Sequence, residues 1–241
     1  MAIQLTAMAI SLLVVLPAWV IYKPPKWVIS TLQRHNPSVL FQIETARKVV
    51  ALTIDDAPSQ YTNEILEILK ANEATATFFV IGGQVAGRES VLEDIVHAGS
   101  ELGNHAMHDE PSVSLASDVL AQQIQEVDIM LKHANEEASK ERTGRYFRPG
   151  SGIFSQRILD VAAKAGYKTA LGSIYPHDPF VTYWRVNAWH VLSSLRPGAV
   201  IICHDRRSWT LPMLRKVVPE MKRRGYDVVT VSKLLEVAKE G

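Results

Sequence analysis

Apolar residues recur along this chain in two rhythms that take turns. Val49-Val50-Ala51-Leu52-Thr53-Ile54 is an unbroken run rich in β-branched side chains, the pattern of a strand buried on both faces. Thr62 or Asn63 then caps a helix whose Ile65, Leu66 and Leu69 share one face. The alternation repeats to the end of the chain. Thr75 to Ile81 predicts a second strand, and Val91, Leu92, Ile95 and Val96 mark a helix ended by Gly99. A short strand follows at 101–103. A long helix capped by Ser117 runs through Leu120, Ile124, Val127 and Leu131. Tyr146-Phe147 predicts a brief strand, Ser155 to Gly166 a helix, and 168–171 another strand. The run 199–203 is a strongly apolar strand. A helix over 211–222 has Pro212 in its first turn and an expected break at Pro219. Val228-Val229-Thr230 is the last strand, and Ser232 caps a terminal helix. About seven strands alternating with helices predict a parallel sheet covered by helices, either a (β/α) barrel or a doubly wound sheet.

Ahead of this pattern, residues 1–22 carry no charged side chain, and Gln4, Thr6 and Ser11 are the clearly polar members. As a helix rising ~1.5 Å per residue the stretch reaches ~33 Å, against a hydrocarbon core of ~30 Å. Trp19 and Tyr22 suit an interface, and Lys23 and Lys26 flank it. A single-pass transmembrane helix or signal anchor is expected over 1–22, with a cleaved signal peptide as the alternative. Lys23, Lys26 and Arg34 follow the span and favour a cytoplasmic domain, whereas a wall-facing enzyme needs the opposite, so the side of the membrane stays open. Residues 23–47, beginning with Lys23-Pro24-Pro25-Lys26, are expected to be a linker and lead-in segment, and 48–241 a single domain.

Composition narrows the chemistry. At 47% hydrophobic residues the chain can build a sizeable core, and its net charge of +1 gives no broad basic field, so nucleic acid is not an expected partner. Cys203 is the one cysteine, which excludes an intramolecular disulfide and a cysteine-rich zinc site. Any metal must be held mainly by His, Asp or Glu. A monomer is expected.

In parallel α/β folds the strand C-termini carry the active site. Asp55-Asp56 follow the first strand, Asn104-His105-Ala106-Met107-His108-Asp109 the third and Arg148-Pro149-Gly150 the fourth. His177-Asp178 come a few residues past the fifth, and His204-Asp205 follow the sixth. Each alone has a bland reading: a turn, a helix cap, a satisfied core histidine. Their shared position on one rim speaks for a site. One Asp and the His105 loop can supply three N/O ligands to a divalent ion. Such an ion activates water and polarises a carbonyl. A second Asp can accept the water's proton, and His204 can donate one to a leaving amine.

At these residues the chain resembles the polysaccharide deacetylase (NodB-homology) family, which includes the chitin deacetylases. Thr53-Ile54-Asp55-Asp56-Ala57-Pro58 resembles the first motif and Gly103-Asn104-His105 the approach to the second. Phe147-Arg148-Pro149 resembles the third, His177-Asp178 the fourth and Ile202-Cys203-His204-Asp205 the fifth. The resemblance implies an irregular (β/α) barrel of about seven strands. It implies Asp55 as general base, His204 as general acid, Arg148 orienting Asp55 and Asp178 orienting His204. It also implies Asp56 and His105 as ligands of zinc, with cobalt or another divalent ion accepted. The reaction implied removes acetyl groups from N-acetylglucosamine-containing oligosaccharides or polysaccharides.

Four departures qualify that expectation. The second motif normally has His four residues after the first; here Asp109 stands there and His108 one residue earlier. Asp109 is the expected third ligand and His108 the alternative. Ala57 replaces a glycine, Ser151 a tyrosine and Pro179 a tryptophan, which weakens the case for a long polymer groove. Two other readings stay open: hydrolysis of another amide or ester on the same fold, and a non-catalytic, membrane-tethered glycan binder.

Overall fold

The computed structural model describes Leu13 and residues 15–240. In chain order its elements are α1 (Lys26–His35), β1 (Val39–Leu40), β2 (Val49–Ala57), α2 (Thr62–Lys70), β3 (Thr77–Val80), α3 (Glu89–His97), β4 (Glu101–Asn104), α4 (Ser117–Glu137), β5 (Tyr146–Phe147), α5 (Gln156–Lys164), β6 (Lys168–Ala170), α6 (Trp184–Ser194), β7 (Val200–His204), α7 (Thr210–Arg223), β8 (Asp227–Val229) and α8 (Val231–Lys239).

The strands lie in the order β1-β6-β5-β4-β3-β2-β7, all paired in parallel, with β8 beside the start of β2. The far edge curls back onto β7 through single bridges, Gln42 with Ala199 and Ile174 with Ile201, which closes an irregular barrel. The barrel is the expected fold class. Its central strand β2 is buried at every position, as its unbroken apolar run requires. Ile54, Phe78, Leu102 and Ile201 meet the inner faces of α2, α3 and α7 in the main core.

Several details differ from the sequence reading. The stretch 23–47 holds α1 and β1, and β1 pairs with β6, so this part of the chain completes the barrel. The α6 helix has no forerunner in the hydrophobic pattern, because Trp184, Val186, Trp189 and Val191 spread apolar surface around it. Pro219 does not break α7, which runs on to Arg223. Most of the membrane span expected over 1–22 lies outside the described residues; among the described residues no helix is long and apolar enough to cross a membrane. Residues 15–22 are helical and dock on the barrel. Trp19 packs on Trp189, and the Tyr22 ring stacks on His177 at 4.9 Å.

Candidate active site

At the C-terminal end of β2 the backbone swings into the left-handed region at Asp56 (φ 64°), so that Asp55 and Asp56 both face one cavity. Ala57, where a glycine was expected, needs no such conformation, because the positive φ falls one residue earlier. Asp55 is buried against Arg148, which arrives from the end of β5. The Arg148 guanidinium is itself 1% exposed, and every arm of it is used. It donates to Asp55 Oδ1, to Thr53 Oγ1 at 2.8 Å and to the carbonyls of Ala170 and Leu171 at 3.0 Å each. A charge buried this deeply is tolerated because it is paired and each of its three nitrogens is hydrogen-bonded.

Opposite stands His204, the last residue of β7, with its Nε2 3.9 Å from Asp55 Oδ2. Its Nδ1 bonds Asp178 Oδ1 at 2.9 Å, and its backbone N–H donates to Asp178 Oδ2 at 2.8 Å. Burial alone would lower the His204 pKa. The carboxylates of Asp178, Asp55 and Asp56 outweigh it and raise the value to about 9. The imidazole is therefore protonated at neutral pH, as a proton donor requires.

Of the expected metal ligands, Asp56 Oδ1 and His105 Nε2 stand 3.8 Å apart. His105 Nδ1 lies 2.7 Å from the Arg148 carbonyl oxygen. That contact places a proton on Nδ1 and leaves the Nε2 lone pair directed at Asp56, the arrangement of a ligating histidine. Asp109 lines the same cavity, whereas His108 packs towards Gly83, where a β-carbon would meet its Nδ1 at 3.3 Å. The cluster of three donors is not closed: among the described residues no three such groups are placed to hold a metal. Two arginines that the sequence does not single out stand beside the two carboxylates. Arg207 Nη2 is 3.5 Å from Asp56 Oδ2, and Arg206 Nη1 is 3.5 Å from Asp109 Oδ2. Burial raises the Asp56 pKa, opposed by His204 and His105.

The cavity encloses about 600 Å³, room for one or two sugar rings. Ser151 and Pro179 line it, as their sequence positions implied, and Tyr175 and Phe180 supply aromatic rings instead. Cys203 is buried, and burial with the nearby carboxylates holds its thiol well above the ordinary range, so it is no nucleophile.

A parallel barrel that brings two adjacent carboxylates, a buried arginine and a His–Asp pair to one cavity has a site of the hydrolase type. Comparison with known proteins then fixes the family. The polysaccharide deacetylase model matches residues 42–170, and the chain belongs to that family. It is 32% identical over 203 residues to a peptidoglycan-N-acetylglucosamine deacetylase of Bacillus cereus, covering 82% of this chain and 92% of that one. It is 30% identical to a chitooligosaccharide deacetylase of Bradyrhizobium, covering 74% and 87%. Among solved structures it resembles a CE4 family pseudoenzyme from Bacillus anthracis, with a TM-score of 0.74 and 29% identity over 83% of this chain and 69% of that one.

Proposed function

We propose that this chain is a divalent-metal-dependent deacetylase that removes N-acetyl groups from N-acetylglucosamine-containing glycans. One observation carries the reading: Asp55 and His204 face each other at 3.9 Å, each held from behind by a buried partner of opposite charge. A pure binder has no use for such a pair, and this favours an enzyme over a relic like the pseudoenzyme it resembles. The names of the relatives, which deacetylate peptidoglycan or chitooligosaccharides, support the substrate class.

Asp56 and His105 fit a divalent ion by their chemistry, and Asp109 is the third donor within the same cavity. Zinc suits one imidazole, while two carboxylates also accommodate harder ions such as cobalt or manganese. Once bound, the ion lowers the pKa of water and polarises the acetyl carbonyl. Asp55, held in place by Arg148, accepts the proton of the attacking water. His204, charged through Asp178, delivers a proton to the amine nitrogen as the C–N bond breaks. The products are acetate and the free amino sugar.

The test is acetate release from N-acetylglucosamine oligomers by the zinc-loaded full chain, followed with and without chelator. Release that stops on chelation, and in Asp55→Asn, is expected. No release from any oligomer by protein shown to hold a metal would remove the reading.

A further inference from the structure

Two of the carboxylates around the cavity have their own counter-charges: Asp55 is matched by Arg148 and Asp178 by His204. Glu110 also lines the cavity and accepts from the neutral Gln123 amide at 2.9 Å. Among the described residues Arg206 and Arg207 have as ionic partners only Asp109 and Asp56, the two carboxylates assigned above to the metal. Both separations, 3.5 Å, sit at the long limit of a hydrogen bond, so the guanidinium donors are hardly committed. A divalent cation held by Asp56 and Asp109 would take over those carboxylates and leave the two guanidinium groups free to meet an anion.

Arg206 adopts φ 61°, and the two consecutive arginines stand beside Asp109 and Asp56 respectively. Arg207 lines the cavity directly, and Arg206 reaches the Asp109 side of it. Paired guanidinium forks are the side chains suited to a carboxylate, which they grip with parallel N–H donors.

We propose that Arg206 and Arg207 form an anion subsite beside the catalytic centre, which selects N-acetylated glycans bearing a carboxylate on or next to the acetylated sugar. The proposal rests on the metal and deacetylase reading given above. It makes the pair specificity-determining, in contact with the substrate's acidic substituent and not with the scissile amide.

The test separates binding from turnover. Zinc-loaded Asp55→Asn protein is titrated calorimetrically with two tetrasaccharides, one of N-acetylglucosamine alone and one alternating N-acetylglucosamine with N-acetylmuramic acid. The acidic glycan is expected to bind about tenfold tighter or more, with a preference that shrinks as salt rises. Arg206→Gln with Arg207→Gln should abolish the preference, and Arg207→Lys should keep part of it, since charge remains but the fork is lost. A tetramer alternating N-acetylglucosamine with glucuronate, if preferred instead, places the carboxylate on the neighbouring sugar and supports the subsite equally. Equal affinity for all three glycans, or a preference that survives the double substitution, overturns the proposal. Acetate release by the unsubstituted protein is followed in parallel. Selective binding without release removes the deacetylase reading and leaves the subsite standing; release without selectivity does the reverse.

Discussion

His204 and Asp178 are joined twice, through the imidazole Nδ1 at 2.9 Å and through the backbone N–H at 2.8 Å. One carboxylate thereby fixes the tautomer, the orientation and the charge of the proton donor. Asp178 is in turn held in place: it is fully buried, and its carbonyl accepts from Trp209 Nε1 at 2.9 Å. Asp178→Asn keeps the shape and removes the charge. The His204 pKa, raised to about 9, should fall towards the ordinary histidine value. The alkaline limb of the kcat/KM profile should therefore move to lower pH, and kcat should drop by about 10²–10⁴-fold, the usual worth of a positioned general acid. A profile whose alkaline limb stays put would show that His204 is not the titrating donor.

Arg148 and Asp55 form the other buried pair, and breaking it leaves a buried carboxylate with only the more distant His204 beside it. Arg148→Met should cost about 3–5 kcal/mol of stability, because removing one member of a buried pair costs far more than the pair contributes. For a chain of this size that is a fall of roughly 6–20 °C in Tm. Asp55→Asn with Arg148→Met should recover part of the loss. Differential scanning calorimetry on the three proteins gives the comparison.

How far the sequence reveals this arrangement depends on what each residue's neighbours announce. Strands β2, β3 and β7 are legible because long buried runs of β-branched and aromatic residues have no other use. Strand β1 is two residues long and looks like linker until β6 lies beside it. Asp55, Asp56, His105, Arg148, Asp178 and His204 are legible because their motifs follow strands in order, and in the structure they reach one cavity or its immediate support. Arg206 and Arg207 are not, since charged residues after a strand look like a solvated turn. Only the fold shows them beside Asp109 and Asp56. Likewise nothing in Tyr22 foretells that it lies across His177 and His190, because that contact spans more than 150 residues of chain.

Asp205, next to the proton donor, is a positioning residue. It is fully buried and accepts from Ser59 Oγ and Thr62 Oγ1 at 2.5 Å each and from the Arg206 N–H at 2.8 Å. These bonds tie the loop after Asp56 to the end of β7. Asp205→Ala leaves the Ser59 hydroxyl without its acceptor and the Thr62 hydroxyl and Arg206 N–H with only their longer contacts to Ser59, an unsatisfied buried donor being worth about 1–3 kcal/mol. Lower stability together with a fall in kcat larger than any change in KM is expected. Asp205→Asn should rescue part of both.

His190 gives the fold a pH limit. It is buried beneath Tyr22, and its Nδ1 has no hydrogen-bond partner among the described residues. Burial, with the nearby His177 and Lys23, lowers its pKa to about 4. The unfolded chain takes up this proton near pH 6.5, so between about 4 and 6.5 the unfolded state binds more protons than the folded one. The contribution is complete above pH 6.5 and is lost as the pH falls through about 4, by up to about 1.4 kcal/mol per pH unit. Urea unfolding across this range should show the slope, and His190→Phe should flatten it by as much as one proton.

The third metal ligand can be decided by deleting its two claimants. Asp109 lines the cavity with Asp56 and His105, and among the described residues only the long contact to Arg206 holds its carboxylate. His108 is turned to the backbone of Gly83 and would have to leave that packing to reach the same point. Asp109→Ala should therefore weaken zinc binding by about 10²-fold or more, since even losing a group that merely supports a ligand costs up to that much. His108→Ala should leave the affinity within about threefold, too little to register as a lost ligand. Competition against a chromogenic chelator measures both without calling on catalysis. The opposite ranking would move the ligand to His108 and require the Met107–Asp109 segment to turn over when the ion binds.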